Sequence, residues 1–132
     1  MKLMTRDTDY AVRAICFIAR HRKKVVSVSE LVKALKIPRP FLRKILQILH
    51  KKGLLKSYKG LGGGFLLALT PERILLVDLI KVFQGPFKLN ECFFKKEICP
   101  NTRRCRLKEK IDLIEKDVLR ELETINIAYL LK

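Results

Sequence analysis

The chain has 132 residues, the size of one compact domain with at most one appended element, since domains typically run to about 100–150 residues. Its 48% hydrophobic content excludes a disordered chain, and no apolar run approaches the roughly 18 residues that span a bilayer. Lys and Arg number 29 against 13 Asp and Glu, a formal net charge of +16, with 16 basic and 3 acidic side chains in residues 1–70 and 13 and 10 in residues 71–132.

An N-terminal half this basic expects an anionic partner. From Thr8 to Lys24 the spacing predicts a helix with Ala11, Val12, Ile15, Cys16, Ile18 and Ala19 on one face, capped by Thr8 or Asp7. A second helix opens at Ser29, turns Leu31, Val32 and Leu35 inward, and ends at Lys36 because Pro38 disfavours helix at Ile37. A third runs from Pro38 or Pro40 to Lys52, with Phe41, Leu42, Ile45, Leu46 and Leu49 inward and Gly53 as its stop. Arg39, Arg43, Gln47 and Lys51 recur every fourth residue on its other face, with Lys44 beside them. Two short helices joined by a tight turn, the second basic outside, describe a helix-turn-helix.

Residues 54–59 and 65–69 read as strands around a Gly60–Gly64 loop that needs positive φ, which makes a hairpin wing directly after the basic helix. The run LGGGF lacks the Lys-Ser or Lys-Thr of a phosphate-cradling loop and is followed by a strand, so nucleotide binding is disfavoured. Tyr58 and Phe65 read as hairpin packing partners, and His21 and His50 as surface or DNA-facing residues. Residues 71–84 suit one broken or two short helices before Gly85-Pro86. A long helix is expected over 106–132, where Leu107, Ile111, Ile114, Val118, Leu122, Ile125 and Tyr129 advance by three or four residues. So narrow a seam wants a second copy of itself, in a two-fold dimer. The fold class is therefore mainly α, a winged helix-turn-helix with a two-stranded wing and a long C-terminal dimerisation helix. The divisions are 1–85 for DNA binding, 86–105 for the cysteine-bearing loop and 106–132 for dimerisation.

The expected interface comprises Arg39, Pro40, Arg43, Lys44, Gln47 and Lys51 at base edges and backbone in the major groove. Lys56, Ser57, Lys59, Gly60, Gly62 and Gly63 serve phosphate or minor-groove contacts. The opening MKLMTRDTDY holds two acids where a signal peptide is apolar, so the expected location is cytoplasmic and disulfides are disfavoured. Cys92, Cys99 and Cys105 follow a C-x6-C-x5-C pattern among basic residues. Three such thiolates suit three corners of an iron–sulfur cluster or a zinc ion, with unligated thiols an equal alternative on spacing alone. Cys16, on an apolar helix face, belongs to the core. No nucleophile–base pair or paired acids are present, so an enzyme is disfavoured and no small-molecule substrate or membrane is expected. A pure interaction subunit docking through the long helix is the alternative from another class.

With these residues in place the chain resembles, over nearly its full length, the IscR/NsrR-type (Rrf-two) family of bacterial transcriptional regulators. The stretches that carry the resemblance are TDYAVRA, SVSELVKALKIPRPFLRKILQILHKKGLLKS and SYKGLGGGFLLAL, followed by three cysteines before a long helix. The family commonly has Arg-Gly where this chain has Lys59-Gly60. The resemblance implies a homodimeric winged-helix regulator, expected to act as a repressor, on palindromic double-stranded DNA. It also implies that Cys92, Cys99 and Cys105 match ligands of a 2Fe–2S or 4Fe–4S cluster sensing redox state, nitric oxide or cluster supply. IscR-like members place a histidine three residues after the third cysteine, where this chain has Lys108. NsrR-like members use an aspartate near the start of the first helix, reaching across from the partner subunit, and Asp9 matches it. Arg43 departs from the glutamate of cluster-assembly regulators, so their operator preference does not transfer. A structural zinc or a cluster-free thiol switch is the alternative.

Overall fold

Helix α1 (Arg6–Arg20) is the centre on which the other elements pack, because its inner face carries small and branched residues that let neighbours approach closely. Ala11, Ala14, Ile15 and Ile18 are fully buried. This computed structural model describes residues 2–89 and 105–132. Thr5, not Thr8 or Asp7, caps α1, accepting from the Thr8 backbone N–H at 3.4 Å. The Thr8 side chain is instead buried and donates its hydroxyl proton to Gln84 Oε1 at 2.6 Å.

Helix α2 (Val28–Leu35) begins one residue earlier than expected, since Ser27 and Glu30 form a reciprocal capping box. The hydrogen bond from Lys24 and, after it, that from the Ser27 backbone hold the Glu30 carboxyl below the usual carboxylate range. Helix α2 ends at Leu35, one residue before the expected Lys36, which closes it in the left-handed region at φ 56° and donates its N–H to Val32 O ahead of Ile37-Pro38. Helix α3 (Arg39–Lys51) buries Leu42, Ile45, Leu46 and Leu49. Phe41 is not among them. At the first turn its ring lies 42% exposed, beneath the Arg6 guanidinium of α1 at 4.7 Å, a cation–π contact in place of core packing.

Strands β1 (Leu55–Tyr58) and β2 (Gly64–Leu67) pair antiparallel, with Ser57 opposite Phe65 and Tyr58 opposite Gly64. That register corrects the expected Tyr58–Phe65 pairing: Phe65 packs on the core and Tyr58 is left 47% exposed. Val26 adds a further rung, donating to Phe65 O at 3.0 Å and accepting from Phe65 N at 2.8 Å. A 3-10 turn (Pro71–Arg73) leads into α4 (Leu76–Gln84), the broken helical stretch expected there.

The expected single helix over 106–132 is two. Helix α5 (Arg106–Leu122) stops in a turn, and α6 (Ile127–Leu130) restarts under the Asn126 cap, whose Oδ1 accepts from Tyr129 N at 2.8 Å. Backbone bonds Leu76 N to Ile125 O and Ile127 N to Ile74 O, both 2.9 Å, sew this turn to the start of α4. The seam divides accordingly. Leu122 is buried against Leu76 and Ile80 with Val118 and Ile125 alongside, and Ile127 enters the main core. Leu107, Leu113 and Ile114, further up α5, remain 71%, 55% and 45% exposed.

Gln84 closes the domain. Its Oε1 also accepts from Thr5 N at 2.9 Å, and its Nε2 donates to Leu3 O at 3.4 Å, clasping the start of α1 to the end of α4. Gln84→Ala removes these bonds and takes an acceptor from the buried Thr8 hydroxyl. The expected loss is about 1–3 kcal/mol of unfolding free energy, read from urea denaturation. An unchanged midpoint would show that the clasp contributes nothing.

Candidate nucleic-acid interface

The inner face of α3 is sealed by its leucines and isoleucine, so its polar residues are forced outward. Arg39, Pro40, Arg43, Lys44, Gln47, His50 and Lys51 are all exposed. Arg39 donates from Nη2 to Ser29 Oγ at 3.1 Å, which ties the first turn of α3 to that of α2. No acid lies in the first turn of α3.

The wing presents Lys56, Ser57, Lys59, Gly60 and Gly62 to solvent and keeps Gly63 half-buried. Its tip is a turn in which Gly63 N donates to Gly60 O at 3.0 Å, with Gly60 at φ 88° and Gly62 at φ 75°. A Cβ at Gly63 would run into the carbonyls of Tyr58 and Gly60, and one at Gly64 into the Val26 carbonyl. Backbone packing thus accounts for the glycine run, in line with the reading of it as a turn.

Between α3 and the wing lies an open groove of about 340 Å³. Of the anticipated residues, Arg43, Gln47, Ser57, Lys59 and Gly63 line it together. Arg39, Pro40, Lys44, Lys51, Lys56, Gly60 and Gly62 lie outside that lining on the exposed faces of the same two elements. Val28, His50, Tyr58, Gly64 and Phe65 complete the lining; none belongs to the expected interface, although the sequence marks His50 as a surface or DNA-facing residue. The signal for His50 was its place in the 43, 47, 50 stripe, successive turns of one helix face. For Tyr58 the signal was β1 alternation set against the glycine opposite it.

The second set of expected residues is only partly described. Cys92 and Cys99 lie outside the described residues. Cys105 is a free, half-buried thiol at the N-cap of α5, its Sγ accepting from Lys108 N at 3.4 Å. The preceding residues are moored to the same helix, Leu89 N donating to Glu115 Oε2 at 3.1 Å and Lys88 Nζ standing 3.7 Å from Glu115 Oε1. Asp9 sits in the first turn of α1, partly exposed, its Oδ2 2.9 Å from Arg13 Nε. Among the described residues no three His, Cys, Asp or Glu side chains gather as a metal site. Cys16 is core as expected; burial pushes its thiol pKa up, with Arg20 opposing more weakly.

A helix-turn-helix whose basic second helix faces a glycine-tipped hairpin across a groove is a winged helix-turn-helix, a DNA-binding architecture. The chain belongs to the Rrf2 family, described as iron-dependent transcriptional regulators, whose family model matches residues 4–132. A protein of Aquifex aeolicus (strain VF5) named as an HTH-type transcriptional regulator is 40% identical over 90 residues, 68% of this chain and 62% of the relative, under two thirds of its length. The HTH-type transcriptional regulator NsrR of Bacillus subtilis (strain 168) is 29% identical over 132 residues, 92% of this chain and 90% of that one. The solved structure of T. potens IscR has a TM-score of 0.77 at 26% identity, covering 99% of this chain and 86% of that one. That of CymR, the global cysteine regulator of B. subtilis, has a TM-score of 0.82 at 20% identity, covering 99% and 97%, a likeness of fold. These relatives are named as regulators and not as enzymes. Among the described residues no helix is long and apolar enough to cross a membrane.

Gly64 decides how the wing stands. Its φ of +151° and the abutting Val26 carbonyl and Ser27 Cα leave no room for a side chain. Gly64→Ala is expected to destabilise the fold by about 1–3 kcal/mol, measured by denaturant unfolding. An alanine variant as stable as the parent would show that the wing has more play than this packing permits.

Proposed function

We propose that the chain acts as a homodimeric repressor on palindromic DNA, whose affinity is set by an iron–sulfur cluster on Cys92, Cys99 and Cys105. The observation that carries the DNA-binding half is the groove between α3 and the wing, with basic and polar side chains on both walls and no acidic one. Arg43 and Gln47 would read base edges and Lys59 would neutralise phosphate. The cluster half rests on the three cysteines, on the family description and on Cys105, whose accessible thiol stands at the head of α5. A cluster would supply a redox-active cross-link between elements, and Asp9 from the partner subunit is the fourth ligand this reading assigns. The residues then divide the work: Glu115 holds the start of the cysteine stretch on α5, Cys105 holds its end, and Gln84 fixes the start of α1. Two heads about 34–36 Å apart must dock together, so a small change of angle between them suffices for a coupling of about 1–3 kcal/mol.

One observation favours the second reading, a structural zinc or a cluster-free thiol switch. Asp9 is already engaged by Arg13 on its own helix, and ligation would have to displace that pair. Anaerobic purification with joint measurement of iron and acid-labile sulfide separates the two. Iron and sulfide in equal amounts, lost together in Cys99→Ala, are expected; zinc alone, or a reversible disulfide without metal, selects the second reading.

The exposed upper part of α5 is the dimer contact in this reading, not the full seam. Ile114→Glu is therefore expected to yield monomers in sedimentation at micromolar concentration with helix content kept, whereas Val118→Glu, on the intramolecular side, should lower stability. Dimers persisting in Ile114→Glu would place the contact elsewhere.

A further inference from the structure

The groove between α3 and the wing has a wall that no base-reading role explains. On its α3 side stand Arg43, Gln47 and His50; on its wing side stand Ser57, Tyr58 and Lys59. No acidic residue lines it. His50 is the last of these along α3, about two turns beyond Arg43, and the N-terminal end of an entering helix is the part that reaches base edges. Tyr58 is half exposed although its ring is apolar, and its neighbour across the ladder is Gly64, which offers no side chain to cover it.

In a duplex, one sugar–phosphate strand separates each major groove from the next minor groove. A helix in the first and a wing in the second must straddle that strand, which then occupies the space between them. We propose that the groove is the seat of that strand, and that the His50 imidazole and the Tyr58 hydroxyl donate hydrogen bonds to its phosphate oxygens, one from each wall. This rests on the DNA-binding reading above and adds to it two residues and a division of labour. Lysines and arginines supply the salt-dependent attraction, whereas His50 and Tyr58 fix the depth at which the strand sits. The seat is stiff on the wing side because Val26 and the Gly60–Gly63 turn hold the hairpin from below and at its tip.

The test uses the full chain and a fluorescein-labelled 30-base-pair duplex of mixed sequence, with binding read by anisotropy across a salt series. Both positions are exposed, so the variants fold, and thermal melting checks this. Tyr58→Phe and His50→Ala are each expected to weaken binding about ten- to a hundredfold, the worth of a hydrogen bond to a charged acceptor. His50→Gln, which keeps a donor, should recover most of the loss. The slope of log affinity against log salt should stay at the wild-type value in all three, and fall by about one in Lys59→Ala. Wild-type affinity in Tyr58→Phe and His50→Ala, or a loss that differs between two duplex sequences, would overturn the seat while leaving DNA binding intact. A wild-type chain with no salt-dependent binding would instead sink the DNA-binding reading and the seat with it.

Discussion

The distance between α3 and the wing depends on a short stretch of backbone. Val26 and Phe65 exchange two hydrogen bonds, and Gly64 lies so close to the Val26 carbonyl that no other residue fits. Because Val26 is buried and directly precedes the capped start of α2, the hairpin is fastened to the helix-turn-helix itself. A free two-stranded hairpin is marginal in water. This one is a third element of the same core, with Phe65 and Leu67 packed on it. Everything that the groove can do follows from that attachment.

The C-terminal part of the chain serves two masters along one helix. Leu122 packs on α4, and Ile127 fills the main core, so the lower portion belongs to the head. Its upper portion leaves large apolar side chains in water. Between them Glu115 receives the chain from residues 88 and 89. Packed elements therefore run from the groove, through α1 and α4, into α5, and residues 88, 89 and 105 all meet that last helix.

Much of this was legible because the signals were local. The basic outer face of α3 and the glycine run of the wing are each set by steric or solvation demands within a few residues. The break after Leu122 was hidden because Ile125 and Tyr129 keep the seam in phase across the turn, so periodicity alone reads through it. The local sign was Asn126, a strong helix-capping residue placed before a short apolar run. Phe41 was misread for a different reason: its burial would have needed a partner from the core, and Arg6, a residue from a distant part of the sequence, covers it instead. The Gln84 clasp joins residues 76 to 81 positions apart, beyond the reach of any pattern. The cysteine spacing fitted cluster, zinc and free thiols alike, since ligand geometry is set by chain path and not by intervals in the sequence.

Of the two described cysteines, Cys16 is the one buried in the core. Thiols react as thiolates, and burial against α1's neighbours disfavours that form in Cys16. The sulfur is thus held in the thiol form, chiefly as a packing atom of the core. An oxidant or electrophile that reaches this protein meets a head whose interior offers it no nucleophile at Cys16. Cys105, half-buried at the head of α5, is the described thiol that such a reagent meets outside that core.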